Sequence, residues 1–223
     1  MAAPALVVFD MAGTTVEDRG EVPGAFAAAL AEHGIAATPD EIRRVRGASK
    51  REATRRFAPS GPEGEKLAAR VFDTFRSNLA DRYARSGVRP TAGATDVFAA
   101  LRGRGVKVAL NTGFDRDITR LLVDALGWAT GVVDAIVCAD DVANGRPAPD
   151  LIRRAMADIG VSGAERVASV GDTTLDLEAG HHAGVGWNIG VLGGAHERAA
   201  LEAAPHTHLV DTLSSVLEIW PIP

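Results

Sequence analysis

The chain contains five short apolar runs, each four or five residues long and separated from the next by a longer stretch. A continuous apolar run of this length is typical of a parallel strand that is buried on both faces of a sheet. We therefore predict strands at residues 5–9, 106–110, 135–138, 167–170 and 185–189. The first run ends at Asp10 and follows no basic segment, so we expect a first strand there and not a signal peptide.

Between the later runs, apolar residues recur at helical spacing over residues 95–102, 115–126, 149–159 and 176–183. Strands that alternate with helices predict right-handed parallel crossovers and hence an α/β fold with a doubly wound parallel sheet. In such sheets ligands bind beyond the carboxyl ends of the strands. Polar residues that directly follow a predicted strand are therefore the first candidates for a site.

Residues 22–85 interrupt this alternation, because they contain no convincing strand pattern. Their apolar residues recur at helical spacing, so we predict a helical cap domain at 21–87, inserted after the first strand. The core domain would then comprise residues 1–20 and 88–223. Segments 17–23 and 86–93 contain Gly and Pro and are the expected hinges. A cap in this place can exclude water from the end of the first strand.

Composition narrows the classes of partner. The 223 residues carry a formal net charge of −5 and no long run of basic residues, so nucleic acid and anionic membranes are not expected as partners. No apolar stretch reaches membrane-spanning length without a charge. Cys138 is the only cysteine, so no disulfide can form within the chain. Together these features favour a cytoplasmic enzyme.

Polar groups follow the first two strands of the alternating pattern. Asp10 is followed by Gly13, Thr14 and a second threonine, which places a carboxylate beside backbone N–H groups that can hold an anion. By itself, this stretch is more typical of an Asx-turn. Thr112 and Gly113 follow the second strand, where a hydroxyl can donate to a phosphoryl oxygen or cap the next helix.

The later strands are followed by two further groups. Arg146 stands in a Gly-Arg-Pro-x-Pro loop, where a guanidinium can bind phosphate or carboxylate oxygens or remain solvated. Asp172 and Asp176 follow the fourth strand, and carboxylates at this spacing suit a hard cation or the N-terminus of a helix. Four such groups at consecutive strand ends are improbable by coincidence.

In their order and placement, these groups resemble the four motifs of the haloacid dehalogenase superfamily over nearly the whole chain. The resemblance implies a Rossmann-like core with a helical cap, Asp10 as nucleophile and Thr112 as a donor to phosphoryl oxygens. It also implies a Mg²⁺ ion held by Asp10, the backbone carbonyl of Ala12 and Asp172, with Asp176 supporting these ligands. Gly13, Thr14, Gly47 and Gly113 are the expected substrate-binding residues.

Two departures from the superfamily pattern resemble its phosphonatase branch, the phosphonoacetaldehyde hydrolases. Superfamily phosphatases carry a second Asp where this chain has Ala12, and Arg146 replaces the usual lysine of the third motif. Protonating an ester oxygen does not help to break a carbon–phosphorus bond. That reaction needs an electron sink, which a lysine supplies by forming an iminium. Lys50, in the Gly47-x-x-Lys50 motif of the predicted cap, is the matching lysine.

For Lys50 to react near neutral pH, burial or neighbouring cations must lower its pKa. Arg43, Arg44, Arg46 and Arg51 are the candidate cations. The branch has Met, His and Tyr where this chain has Arg46, Ala53 and Phe114. Glu52 or a water molecule is then the candidate for the missing base.

Three functions remain open on the sequence. The leading one is cleavage of the carbon–phosphorus bond of phosphonoacetaldehyde or a close relative. The second is a Mg²⁺-dependent phosphatase for small phosphate esters, and the third is a non-catalytic protein that binds phosphorylated metabolites. The expected partner is thus a small phosphonate or phosphorylated substrate, and the resemblance adds a homodimer formed through the cap.

Overall fold

The computed structural model describes residues 3–220, so residues 1–2 and 221–223 of the predicted core domain lie outside it. A six-stranded parallel sheet forms its centre, in the order β3-β2-β1-β4-β5-β6. The strands are β1 Leu6–Asp10, β2 Lys107–Asn111, β3 Ala135–Val137, β4 Val167–Gly171, β5 Trp187–Val191 and β6 His208–Val210. The predicted α/β class and doubly wound parallel sheet are confirmed.

The first strand lies in the middle of the sheet and pairs with β2 on one side and β4 on the other. After β3 the chain crosses β1 to begin β4, and the strand order reverses there. Such a switch point leaves a crevice at the carboxyl ends of the strands, where ligands bind. Asp10, the last residue of β1, lies beside this crevice.

Helices cover both faces of the sheet, which explains the continuous apolar runs. Leu6 and Val8 of β1 belong to the core cluster on one face, and Val7 and Phe9 belong to the cluster on the other. The helices of the α/β part are α5 Ala94–Gly103, α6 Arg116–Ala125, α7 Asp150–Ile159, α8 Thr174–Ala183 and α9 Arg198–Ala203. Short 3₁₀ turns lie at Ala139–Asp141, Ala164–Arg166 and Leu213–Glu218.

Two strand predictions need correction. The fifth strand was placed too early, because Gly184 ends α8 in the left-handed conformation and the Val185 N–H bonds back to Gly180. Residues 185–186 therefore belong to the turn before β5. The sixth strand was missed, because β6 has only three residues, all of them half-buried at the edge of the sheet.

Four helices lie between β1 and α5, in agreement with the absence of a strand pattern there: α1 Glu21–Glu32, α2 Pro39–Arg44, α3 Lys50–Phe57 and α4 Pro62–Ser86. We call residues 21–86 the helical insert. The Phe26 ring of α1 meets the Phe75 ring of α4 edge to face at 5.7 Å. None of the helices within residues 3–220 combines the length and apolar character that a membrane crossing needs.

The two segments that join the insert to the sheet run side by side. The Glu17 N–H donates to the Arg89 carbonyl at 3.0 Å, and the Thr91 N–H donates to the Thr15 carbonyl at 2.9 Å. Val16 and Pro90 form an antiparallel bridge between the same segments. The two predicted hinge segments are therefore joined to each other by backbone hydrogen bonds, a few residues after the end of β1.

Candidate active site

Three buried carboxylates meet at the carboxyl edge of the sheet. Asp10 ends β1, Asp172 follows β4, and Asp176 lies in the first turn of α8. One oxygen from each lies within 4.8 Å of the others. The sequence separates Asp10 from Asp172 by more than 160 positions, and parallel pairing of β1 with β4 brings them together.

Asp172 is fixed from two sides by donors and by close backbone. The Thr14 hydroxyl donates to Asp172 Oδ1 at 2.9 Å, and the Ala195 N–H donates to Oδ2 at 2.6 Å. A Cβ on Gly13 or on Gly194 would overlap the Asp172 carboxylate, and Gly13 also has a φ of +97°. These two glycines allow the backbone to approach the carboxylate.

The Arg146 guanidinium links two of the three acids. It is 2% exposed, and it forms ion pairs with Asp10 Oδ1 at 2.7 Å and with Asp176 Oδ1 at 2.9 Å. The Asn111 side chain also accepts from Arg146 and holds it from the end of β2. The other oxygen of Asp176 accepts from the Thr173 hydroxyl at 2.6 Å, so protein donors occupy both oxygens of Asp176.

Negative charge exceeds positive charge within this cluster. Burial raises the pKa of Asp10 to about 7; Arg146 opposes the rise, while Asp176 and Asp172 add to it. Burial and the neighbouring Asp176 raise the pKa of Asp172 to about 6. A divalent cation with oxygen ligands would relieve this repulsion, so the cluster fits the expected Mg²⁺ ion.

Lys50 belongs to the helical insert and lies near this cluster of carboxylates. It is the first residue of α3, and its N–H donates to the carbonyl of Gly113 at 3.1 Å. Its side chain turns inward and is 8% exposed. The Lys50 Nζ donates to the Ala48 carbonyl at 3.1 Å and lies 5.4 Å from the centre of the Phe114 ring.

Burial lowers the pKa of Lys50 to about 8. Arg46 and Arg146 lower it further, whereas the carboxylates of Asp10 and Asp18 raise it. Of the four arginines considered from the sequence, Arg46 thus acts on the amine. Arg51 is half-exposed and stacks on Phe72, with its guanidinium carbon 4.2 Å from the ring centre.

A narrow cavity of about 20 Å³ lies between these groups and has room for about one water molecule. Its wall includes the candidate nucleophile, the lysine and the arginine that were identified from the sequence. Ala12 lines it in place of an acidic side chain. The lining residues are Asp10, Ala12, Val22, Arg46, Gly47, Lys50, Thr112, Gly113, Phe114, Arg146 and Thr173. A substrate must therefore enter while the insert is displaced from the sheet.

The predicted substrate-binding glycines lie where the insert touches the core. A Cβ on Gly47 would overlap the Thr173 hydroxyl, and a Cβ on Gly113 would overlap the Ala48 carbonyl. Thr14 is fully buried, and its hydroxyl is bonded to Asp172. The Thr112 hydroxyl lines the cavity and accepts the Phe114 N–H at 3.2 Å.

Glu52, one candidate for the missing base, does not reach the cavity. Its carboxylate pairs with Arg56 at 2.8 Å and is 41% exposed on the outer side of α3. Ala53 is fully buried and, with Val22, Phe26 and Val45, forms an apolar wall beside Lys50. A water molecule remains the candidate base.

Several residues of the site lay outside the predicted set. Asn111 could have been found from its polar side chain at the last position of a buried strand. Ala195 contributes only a backbone N–H, which leaves no signal in the sequence. Asp18 lies in a hinge, and its contact with Arg46 depends on how the insert folds back.

The parallel α/β fold and the strand-end carboxylates define a class of hydrolase, and a family model agrees. The haloacid dehalogenase-like hydrolase model matches residues 4–184, so the chain belongs to this family. Among its relatives, the phosphonoacetaldehyde hydrolase of Paraburkholderia xenovorans (strain LB400) is 34% identical over an alignment of 200 residues that covers 83% of this chain and 73% of the relative. The Bacillus cereus phosphonoacetaldehyde hydrolase is 29% identical over an alignment of 213 residues that covers 88% of this chain and 78% of the relative.

Solved structures agree on the fold. A hydrolase from Pseudomonas syringae superposes with a TM-score of 0.86 at 22% identity, covering 96% of each chain. A phosphonoacetaldehyde hydrolase like protein from Oleispira antarctica gives a TM-score of 0.83 at 22% identity, covering 98% of this chain and 91% of that one. At this identity the likeness concerns the fold alone.

Proposed function

We propose that this hydrolase cleaves the carbon–phosphorus bond of phosphonoacetaldehyde or a close relative. The observation that carries the proposal is that the Lys50 amine and the Asp10 carboxylate line one cavity, where Ala12 supplies no acid. A phosphatase of this family would need that acid to protonate its leaving group. An amine beside the nucleophile instead suits a carbanion leaving group.

The first step belongs to Lys50. Its neutral amine attacks the carbonyl carbon of the substrate, and loss of water with uptake of one proton gives a protonated imine. A pKa of about 8 leaves a useful fraction of the amine neutral near physiological pH. The apolar wall beside Lys50 excludes water that would hydrolyse the imine early.

The second step belongs to Asp10. Oδ1 of this residue accepts from Arg146, so we assign the attack on phosphorus to the other oxygen. As the new P–O bond forms, the C–P bond breaks, and its electron pair becomes the C=C bond of an enamine on Lys50. Arg146 and Thr112 line the same cavity, and in this proposal both donate to phosphoryl oxygens during the transfer.

Two hydrolyses complete the cycle. The enamine carbon takes a proton, and water releases the carbonyl product and restores the Lys50 amine. A second water attacks the aspartyl phosphate and releases phosphate. One water is lost when the imine forms and two are consumed, so the net reaction uses one water per phosphonate.

Asp10, the Ala12 carbonyl and Asp172 would hold Mg²⁺. When bound, the ion neutralises charge on the phosphoryl group and the surrounding carboxylates. Thr14 and the Ala195 N–H keep Asp172 in place for this role.

Phosphate release from two substrates tests the proposal. With Mg²⁺ present, the wild type should release phosphate from phosphonoacetaldehyde, and Lys50→Ala should lower kcat by at least ~10³-fold. Asp10→Asn should abolish turnover of every substrate. Hydrolysis of p-nitrophenyl phosphate that survives Lys50→Ala, without turnover of the phosphonate, would instead establish the phosphatase alternative. A protein that binds phosphate without turning over either substrate would be the non-catalytic one.

A further inference from the structure

Arg46 is a cation of the cavity, and the steps above give it no contact with the substrate. It lies between α2 and α3 and lines the cavity together with Asp10, Lys50 and Arg146. It also lines the apolar pocket beside Lys50, with Val22, Phe26 and Ala53. Arg46 therefore borders both of the spaces that Lys50 borders.

The Arg46 side chain is held in place by one partner. Its Nη2 contacts Oδ2 of Asp18, which is 1% exposed. Oδ1 of Asp18 accepts the N–H groups of Gly20 and Val22, both at 3.1 Å, so the carboxylate is itself fixed. A guanidinium has five N–H donors, and within residues 3–220 Asp18 is the acceptor found for this one. Donors therefore remain for a ligand.

The position of Arg46 relative to Lys50 indicates what such a ligand would carry. Asp10, Arg146 and Thr112 take the phosphoryl end, and Lys50 takes the carbonyl carbon. The next group along the substrate, a substituent on that carbon, would face Arg46. The planar fork of a guanidinium matches a carboxylate, and burial strengthens such a pair.

Building on the proposed function, we propose that Arg46 is a specificity-determining residue and that the preferred substrate is a 3-phosphono-2-oxo acid. Its carboxylate pairs with Arg46, its ketone carbon forms the imine with Lys50, and its phosphonate accepts attack by Asp10. The C–P electron pair passes into an enamine conjugated with the carboxylate. Protonation and hydrolysis then give phosphate and a 2-oxo acid that ends in a methyl group, with one water consumed.

The test compares 3-phosphonopyruvate with phosphonoacetaldehyde, using phosphate release as the readout. The wild type should show the higher kcat/KM for the keto acid. Arg46→Met, which keeps the length of the side chain and removes its charge, should lower the ratio of kcat/KM for the keto acid to kcat/KM for the aldehyde by ~10²-fold or more. Its loss also raises the pKa of Lys50, and the resulting fall in activity applies to both substrates. Arg43→Met is the matched control, because Arg43 pairs with Asp40 on the exposed side of α2.

Removing Arg46 alone leaves the Asp18 carboxylate buried without its partner. The double variant Asp18→Asn, Arg46→Met removes the pair together and keeps an oxygen for the N–H groups of Gly20 and Val22. It also removes one charge that lowers the pKa of Lys50 and one that raises it. It should show the same fall in the ratio of kcat/KM for the keto acid to kcat/KM for the aldehyde. Thermal unfolding of both variants checks that they are folded.

Three results would overturn the proposal. Turnover of the aldehyde with little or no turnover of the keto acid by the wild type would refute this inference and leave the proposed function intact. An equal loss of kcat/KM on both substrates in the folded double variant would show that Arg46 stabilises the insert and does not bind the substrate carboxylate. Absence of phosphate release from either phosphonate would refute the proposed function together with this inference.

Discussion

Gly47 of the helical insert and Thr173 of the core lie so close that a Cβ on Gly47 would overlap the Thr173 hydroxyl. Gly47 also has a φ of +84°, which favours glycine. The same loop provides the Gly47 carbonyl that accepts from Arg146 at 3.3 Å. The insert can therefore pack over the acid cluster only because residue 47 is a glycine and has no Cβ.

Gly47→Ala should impair closure. The added methyl group pushes the loop away from Thr173, so we expect kcat/KM to fall by ~10-fold or more, because misplacement by about 1 Å costs that much or more. Gly34→Ala is the matched control, since Gly34 has a φ of +72° but no heavy atom within 4 Å of the position of a Cβ. Both changes should reduce stability by about 1–2 kcal/mol. Equal kinetics in the two variants would contradict the role given to this contact.

Thr14→Val should weaken Mg²⁺ binding. The change keeps the shape of a fully buried side chain and removes the hydroxyl that donates to Asp172 Oδ1 at 2.9 Å. Loss of a group that orients a metal ligand typically lowers affinity by ~10- to 100-fold, and we expect a fall in this range by isothermal titration calorimetry. Thr119→Val is the control, because the Thr119 hydroxyl bonds the Asp115 carbonyl away from the acid cluster. An unchanged Mg²⁺ affinity in Thr14→Val would count against the site.

Lys50→Met should stabilise the fold while it removes the amine. The folded protein lowers the pKa of Lys50 from 10.5 to about 8, so the charged form is disfavoured by folding at pH 7. Removing the charge should raise the free energy of unfolding by about 1–3 kcal/mol at pH 7. The gain should shrink as pH rises through 8 towards 10.5, because the folded wild type then loses the proton.

Denaturant unfolding at pH 7 and at pH 9.5 measures this effect. Lys66→Met is the control, because Lys66 pairs with Glu63 on the surface of α4. A Lys50→Met variant less stable than the wild type at pH 7 would show that the amine is not buried as described.

The pKa of Lys50 should depend on the charged residues around it. The chain has three lysines, so ¹³Cε labelling gives three NMR signals to follow against pH, and Lys50→Met assigns one of them. We expect a midpoint near 8 for Lys50. Asp10→Asn should lower this midpoint, because the Asp10 carboxylate stabilises the ammonium form. A midpoint near 10.5, or one that rises in Asp10→Asn, would place the amine outside the cavity.

Much of the core could be predicted from the sequence, because its strands are buried on both faces. The run at Leu6–Asp10 has no exposed position, so hydrophobicity alone identifies it. The short edge strand β6 has no fully buried residue and was missed for that reason. The acid cluster was also predictable, since β1 and β4 are parallel neighbours in the sheet and bring Asp10 and Asp172 to the same edge.

The insert side of the site was less accessible to sequence reasoning. Whether Lys50 faces solvent or the cavity depends on how the start of α3 packs on the core, where the Lys50 N–H donates to the Gly113 carbonyl. The Gly47-x-x-Lys50 motif identified Lys50 as the candidate but did not show whether its side chain points into the cavity. Arg46 was identified as a candidate cation near Lys50 and as a departure from the branch pattern. Its contact with Asp18 was not predicted, because it joins two segments that are distant in sequence.

The central claim is that the Lys50 amine forms a covalent imine with the substrate. Borohydride reduction of the enzyme with phosphonoacetaldehyde, followed by peptide mass mapping, tests it most directly. The account predicts a stable adduct on Lys50, with Lys66 and Lys107 unmodified and no adduct in Lys50→Ala. Turnover of the phosphonate without any adduct on Lys50 would contradict the account.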